Sequence, residues 1–458
     1  MFDASSRELT WLRNPFAELA RLSWPIAVSM LSYSTMTLVD TIMVGRLGAA
    51  ALAGVGMGGI MSFALLVFSI GLLRSVKVLV SQAVGAGRHE HIPACLAAGL
   101  IVALGLGLTT TLLGELVALI LPRMAASAEV GNNAGVYMAI RMLSAPITLC
   151  FVAMRETLYG VGEARAPMVA SIVANLVNVS VCYLLVFPLQ LGVAGAAWAA
   201  VAGQTVEAFA LFALRGRELL PPLRPNLAVL REVWRLGLPN GLQMMIEIGS
   251  FMLLTLLIAA MSAAEMAAHQ IALHAIHFSF LPALAVGEAG SVMAGQAVGA
   301  DRDDLVLGVA RLSMWLAGIY TGACTLVLAF GAPMIARVFT DDASVIAAAV
   351  PLLYVAAAFQ VADAANVVAR GILRGTGDVR YPAVVGIAVA WSLTPPLTWV
   401  LGHILGMGAF GGWLGLCAEI MAASGIFWWR LLRRGWRPAA MRARAQLGYA
   451  RASPAAVA

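Results

Sequence analysis

Apolar residues along this chain run in long blocks separated by short polar or Gly/Pro breaks, rather than alternating with polar ones. Read block by block, the pattern predicts twelve spans. They start near Phe16, Leu52, Ala94, Ala134, Ala164 and Gly192 in the first half, and near Val233, Ala267, Leu305, Ser344, Tyr381 and Gly411 in the second. A helix needs about 20 mostly apolar residues to cross the hydrocarbon layer, whereas a barrel strand needs about 10 with strict alternation. The expected class is an all-α integral membrane protein with twelve transmembrane helices.

Composition agrees. The chain is 61% hydrophobic and 11% charged, whereas soluble domains run about half apolar and about a quarter charged. Twelve spans leave little of the 458 residues for any soluble domain. The net charge of +6 raises the question of nucleic acid, but its placement argues for a bilayer partner and no nucleic acid. Basic residues cluster in every second loop: Arg7, Arg13 and Arg21; Arg88; Arg215, Arg217, Arg224, Arg231 and Arg235; Arg302; Arg370, Arg374 and Arg380; and Arg430 to Arg444. The intervening loops carry chiefly Arg46, Arg123 and Arg337. This positive-inside alternation puts both termini in the cytoplasm. Cys95, Cys150, Cys182, Cys324 and Cys417 fall in or beside apolar blocks, so no disulfide framework is expected. Asp3, Glu8 and Arg13 ahead of the first block do not resemble a cleaved signal peptide.

The chain also repeats itself. Arg21-Leu22-Ser23-Trp24-Pro25 recurs as Arg235-Leu236-Gly237-Leu238-Pro239, and Gln82-Ala83-Val84-Gly85-Ala86 as Gln296-Ala297-Val298-Gly299-Ala300, both 214 positions apart (235 − 21, 296 − 82). Gly160–Pro167 matches Gly375–Pro382 one residue out of step. The halves are therefore six-helix repeats, and because six is even they run parallel. The expected organisation is an N-terminal lobe over 1–220, a C-terminal lobe over 221–440 and a cytoplasmic tail over 441–458. The two pseudo-symmetric lobes would flank a central cleft and rock for alternating access, by analogy with transporters of this architecture. The connector from Arg215 to Arg231, with Pro221, Pro222 and Pro225, is the natural link.

Several strings now resemble the multidrug and toxic compound extrusion (MATE) family. They are Leu38-Val39-Asp40-Thr41-Ile42-Met43-Val44-Gly45 in the first span, Ser81–Gly87 closing the second, Ala267-Ala268-His269-Gln270-Ile271-Ala272 opening the eighth, and Arg370–Asp378 ending the tenth. The resemblance covers about residues 16–435. Glu247 in the seventh span and Asp363 in the tenth are similar to the acids of the NorM-type branch. It implies a monomeric inner-membrane antiporter that exports small cationic or amphipathic compounds in exchange for H+ or Na+, with no cofactor beyond the coupling ion.

An ionised carboxylate within a span is costly, so Asp40, Glu247 and Asp363 are the leading functional candidates. Each could hold a proton or Na+ alternately. Asp40 could instead cap the turn at Gly45, and Glu247 and Asp363 could be a structural pair or separately solvated acids. Asn175 and Asn178 share a helix face and join the cation-coupling candidates, unless they simply bind helix to helix. The family's hard oxygen ligands are replaced by Cys182 and Phe359, which favours proton coupling. Tyr33 (the repeat mate of Glu247), Met244, His277 and Phe359 join Glu247 and Asp363 as candidate substrate-cavity residues.

Arg74 and Lys77 are unusual charges in span two, and the 214-residue offset places Glu288 opposite Arg74. They could form an ion-pair gate, or snorkel to the cytoplasmic edge. His269, His274 and His277 lack metal-ligand spacing, so no metal is expected. No phosphate loop or nucleophile constellation points to an enzyme. The rival readings are a flippase for lipid-linked or anionic substrates, favoured by Arg74 and Lys77, and a non-transporting membrane scaffold.

Overall fold

The structure is a computed structural model that describes residues 9–125, 127–219 and 226–447. Among these there is no strand. The helices are α1 (Pro15–Gly45), α2 (Ala49–Gly85), α3 (Ile92–Met124), α4 (Ala128–Met142), α5 (Ala145–Val161), α6 (Arg165–Val186) and α7 (Gly192–Leu219). They continue as α8 (Leu227–Ala259), α9 (Ala263–Gly299), α10 (Asp303–Phe339), α11 (Ala343–Gly375), α12 (Arg380–Leu397), α13 (Gly408–Leu432) and α14 (Arg437–Gln446). Among the described residues eleven helices are long and apolar enough to cross a membrane, and the bent pair α4–α5 makes a twelfth span when counted as one. Of the expected tail, residues 448–458 lie outside the described residues, as do connector residues 220–225, Arg7 and Glu8.

Proline explains the irregular spans. The fourth bends by 51° between α4 and α5, where Pro146 stands in the first turn of the new helix. A proline can begin a helix but cannot donate to the ladder of the one before it. Pro395 and Pro396 end α12, and the chain continues as a wider π-helical stretch over Thr398–Ile404. Missing N–H donors and ring clashes favour that widening.

The sequence repeat reappears in the element boundaries. Helices α2 and α9 are displaced by 214 residues at both ends (263 − 49, 299 − 85). The third repeated string closes α5 and α11, and its Gly162 and Gly377 both adopt left-handed backbone, with φ of 97° and 86°. Only glycine enters that region without steric cost, which accounts for its presence in both halves.

Two compact units emerge. Among the described residues, one comprises Val28–Val80 and those of 89–242; the other comprises residues 9–27, Ser81–Arg88 and residues 243–447. In the first, α6 packs along α7, and α3 packs against α4 and α5. In the second, α11 is central, packed by α9, α10 and α13. There the repeated Gln-Ala-Val-Gly-Ala strings have a packing role. A Cβ on Gly85 would strike the Gln296 carbonyl, and one on Gly299 would strike that of Gln82. Glycine thus lets two backbones touch, as small residues do where helices cross in lipid. The glutamines of the same strings fasten neighbours: Gln82 Nε2 donates to the Gly375 carbonyl at 3.0 Å, and Gln296 Oε1 accepts from Trp11 Nε1 at 3.0 Å.

Candidate functional site

In the first unit, α1, α4 and α6 bring Asp40, Tyr33, Tyr137, Arg141, Asn178 and Cys182 into one cluster. Asp40 is half-buried on α1 and lies beside Cys182 and Asn178, with Arg141 within electrostatic reach. Asp40 Oδ1 and both polar side-chain atoms of Asn178 are buried without a hydrogen-bond partner, and Asn178 is fully buried. The Arg141 guanidinium is buried and is held from two sides: Nη2 reaches the Tyr33 hydroxyl at 3.5 Å, and the Tyr137 ring lies 6.0 Å away. Asn175, one turn before Asn178, turns to a different partner and donates to Ser32 Oγ.

In the second unit, Glu247 on α8 accepts from Gln243 Nε2 through Oε1 at 2.8 Å and from Arg370 Nη1 through Oε2 at 2.8 Å. The space for this comes from α12: a Cβ at Gly386 would fall on Glu247 Oε1 and within 2.6 Å of Gln243 Nε2. Arg374 Nη2 donates to Gln243 Oε1 at 2.9 Å, and Arg370 Nη2 reaches Asn366 Oδ1 at 3.4 Å. The Arg370 guanidinium lies 5.4 Å from the Phe427 ring of α13. Half-buried Asp363 lies within the electrostatic reach of Arg370 and of Glu419, whose carboxylate accepts from the Thr394 hydroxyl. Indole anchors hold the frame, with Trp391 Nε1 donating to the Ile246 carbonyl and Trp428 Nε1 to that of Ala365, each at 3.0 Å.

Arg370 and Arg374 are therefore not loop residues, as the reading of basic clusters expects. Helix α11 runs through to Gly375, and Asp363, Asn366, Arg370 and Arg374 are spaced by three or four residues along one face. A guanidinium that finds Glu247 inside the bundle has no need of water or headgroups.

The charges in span two also have partners of their own. Lys77 Nζ lies 3.9 Å from Glu156 Oε2, with side-chain exposures of 4% and 3%. Arg155 Nη2 donates to Glu156 Oε1 at 2.9 Å, and Arg74 is within electrostatic reach of the same carboxylate. Nearby, Glu207 accepts from Ser171 Oγ at 2.6 Å. Glu288 is buried on α9 of the other unit.

Among the remaining cavity candidates, Tyr33 and His277 are exposed and Met244 is half-buried. Phe359 is buried in the core, its ring 6.2 Å from that of Trp413. His269 has an architectural place: Trp413 Nε1 donates to its Nδ1 at 3.0 Å, and Nε2 lies 3.2 Å from Thr255 Oγ1.

Reading the sequence alone misses Arg141, Arg370, Gln243, Glu156 and Glu419 as members of these clusters. Helical spacing from Asp363 could have found Arg370. Glu419 could have been found as a carboxylate within the apolar block of the last span, by the criterion that found Asp363. What no local signal gives is the partner of either Arg141 or Glu419, because those partners come from other helices.

The MatE family profile matches residues 25–184 and 239–400. A probable multidrug resistance protein NorM of Deinococcus radiodurans is 32% identical over 419 residues, spanning 88% of this chain and 92% of the relative. One of Burkholderia pseudomallei is 30% identical over 433 residues, spanning 91% and 92% respectively. A crystal structure of MATE in the bent conformation matches with a TM-score of 0.86 at 21% identity, over 93% of this chain and 97% of that one.

Proposed function

This chain belongs to the MatE family of multidrug transporters, and from that premise we propose that it is a cation-coupled antiporter exporting small cationic or amphipathic organic molecules by alternating access. The carrying observation is the set of carboxylates Glu247, Asp363 and Glu419 gathered around Arg370 among spanning helices. Ionisable groups within membrane helices mark substrate and ion pathways. Asp40 with Asn178 forms a second group able to take up a coupling proton or Na+. The chain would work as a monomer in the inner membrane, with both termini in the cytoplasm.

The flippase reading loses weight because Lys77, one of the two basic residues that favour it, is paired with Glu156 in its own unit. The scaffold reading gives no reason to keep half-buried acids at these positions.

Proteoliposomes loaded with a fluorescent organic cation, with proton and sodium gradients imposed separately, test the proposal. Wild-type efflux under one gradient, reduced at least about tenfold in Asp40→Asn, Glu247→Gln or Asp363→Asn, is the expected outcome. Movement under neither gradient, or wild-type rates in all three variants, would sink it. The gate read from the repeat offset belongs to the same proposal. If Arg74→Glu with Glu288→Arg restores nothing that the single variants lose, the gate is wrong.

A further inference from the structure

Both acid clusters contain a guanidinium, Arg141 in one and Arg370 in the other, to which the transport proposal gives no part in choosing the coupling ion. We propose that Arg141 and Arg370 are tethered cations occupying the electrostatic place that a sodium ion would need, so that this chain couples to protons and does not bind sodium. This rests on the antiporter reading and specifies its coupling ion.

The second unit carries the geometry. Both oxygens of Glu247 already accept from N–H donors, Oε1 from Gln243 and Oε2 from Arg370, each at 2.8 Å. Asn366 Oδ1, one turn from Asp363 and otherwise suited to a hard cation, faces Arg370 Nη2 at 3.4 Å. Hard metal ions are held by oxygen lone pairs; here each Glu247 oxygen already gives one of its lone pairs to an N–H donor. The charged groups facing this acid pair are Arg370 and Glu419. A sodium ion at Glu247 would have to displace the guanidinium or stand a few ångströms from it. At an effective dielectric of about 20, two like charges about 5 Å apart weaken binding on the order of a hundredfold.

The first unit repeats the logic with other residues. Asp40 is faced by Arg141, Tyr137 and Cys182. Arg141 is buried, with the Tyr33 hydroxyl 3.5 Å from Nη2 and the Tyr137 ring 6.0 Å from the guanidinium, so its positive charge stays beside Asp40 in this arrangement. Cys182 offers sulfur where a hard ion needs oxygen.

A proton meets neither obstacle. It bonds to one carboxylate oxygen and needs no other ligand. By neutralising the acid it releases the guanidinium instead of adding a second positive charge beside it. Protonating Glu247 would free Arg370 to turn toward Asp363 and Asn366, a charge movement within one helix face.

Equilibrium binding of radioactive sodium to the purified full chain in detergent tests this, on wild type, Arg141→Gln, Arg370→Gln, their double variant and the two Arg→Lys variants. Wild type and the Lys variants are expected to show no saturable sodium binding. At least one Gln variant should gain affinity by about tenfold or more. Saturable binding by wild type overturns the proposal. So does binding by a Lys variant, which keeps the charge, or no binding by folded Gln variants. Should the Gln variants aggregate, wild type and the Lys pair still decide. Proton-driven efflux by the same preparation separates the two claims: no efflux without sodium binding sinks the antiporter reading and proton coupling with it, leaving only the exclusion of sodium, whereas sodium binding beside active efflux sinks this proposal alone.

Discussion

Lys77 on α2 and Glu156 on α5, the second half of the bent fourth span, sit at 4% and 3% side-chain exposure, 3.9 Å apart. Removing one member of such a pair strands the other charge, typically at about 3–5 kcal/mol, whereas replacing both with neutral residues of similar size is often close to neutral. Glu156→Gln, which strands Lys77 and Arg155 together, is therefore expected to lower thermal stability in detergent markedly, and adding Lys77→Met to it to recover part of the loss. A double variant as unstable as the single would mean that Arg155 or Arg74, rather than Lys77, sets the charge balance of Glu156. The same reasoning shows why span two can carry charge: every buried charge described there has an opposite partner in its own unit.

At the scale of elements, the repeated strings are instructions for approach. Gly299 lets α9 touch the end of α2, where an added methyl group would strike the Gln82 carbonyl and lie 2.9 Å from Ala86 N. Both obstacles are backbone and cannot rotate away. Gly299→Ala should cost about 1–3 kcal/mol, as overpacking does. Gly105 on α3 has nothing within 4 Å of the position its Cβ would take, so Gly105→Ala should be neutral or stabilising by up to about 1 kcal/mol. Thermal melts of the two variants beside wild type check this. Equal effects would show that helix propensity, not contact, governs these positions.

For the whole molecule, the loops carry the orientation. The asymmetric placement of arginine predicts a cytoplasmic C-terminus. A C-terminal green fluorescent fusion should fluoresce and a C-terminal alkaline phosphatase fusion should be inactive. The reverse pattern would invert the topology and with it the assignment of Arg74 and Lys77 to the inward end. An even number of spans further requires an N-terminal fusion to report the same side.

The class, the number and order of spans and the internal repeat were all legible in the amino-acid sequence. Hydrocarbon thickness dictates block length, and a duplicated frame leaves its glycines and prolines at a fixed offset. Asp40, Glu247 and Asp363 were legible for a related reason, since a carboxylate stands out in an apolar block. Their surroundings were not. That Arg370 clasps Glu247, that Arg141 faces Asp40 and that Glu156 balances Lys77 depends on helix rotation and on residues up to 123 positions apart, as in the Arg370–Glu247 pair. Partners brought together from different helices share no local periodicity, so only packing in three dimensions decides which charges meet.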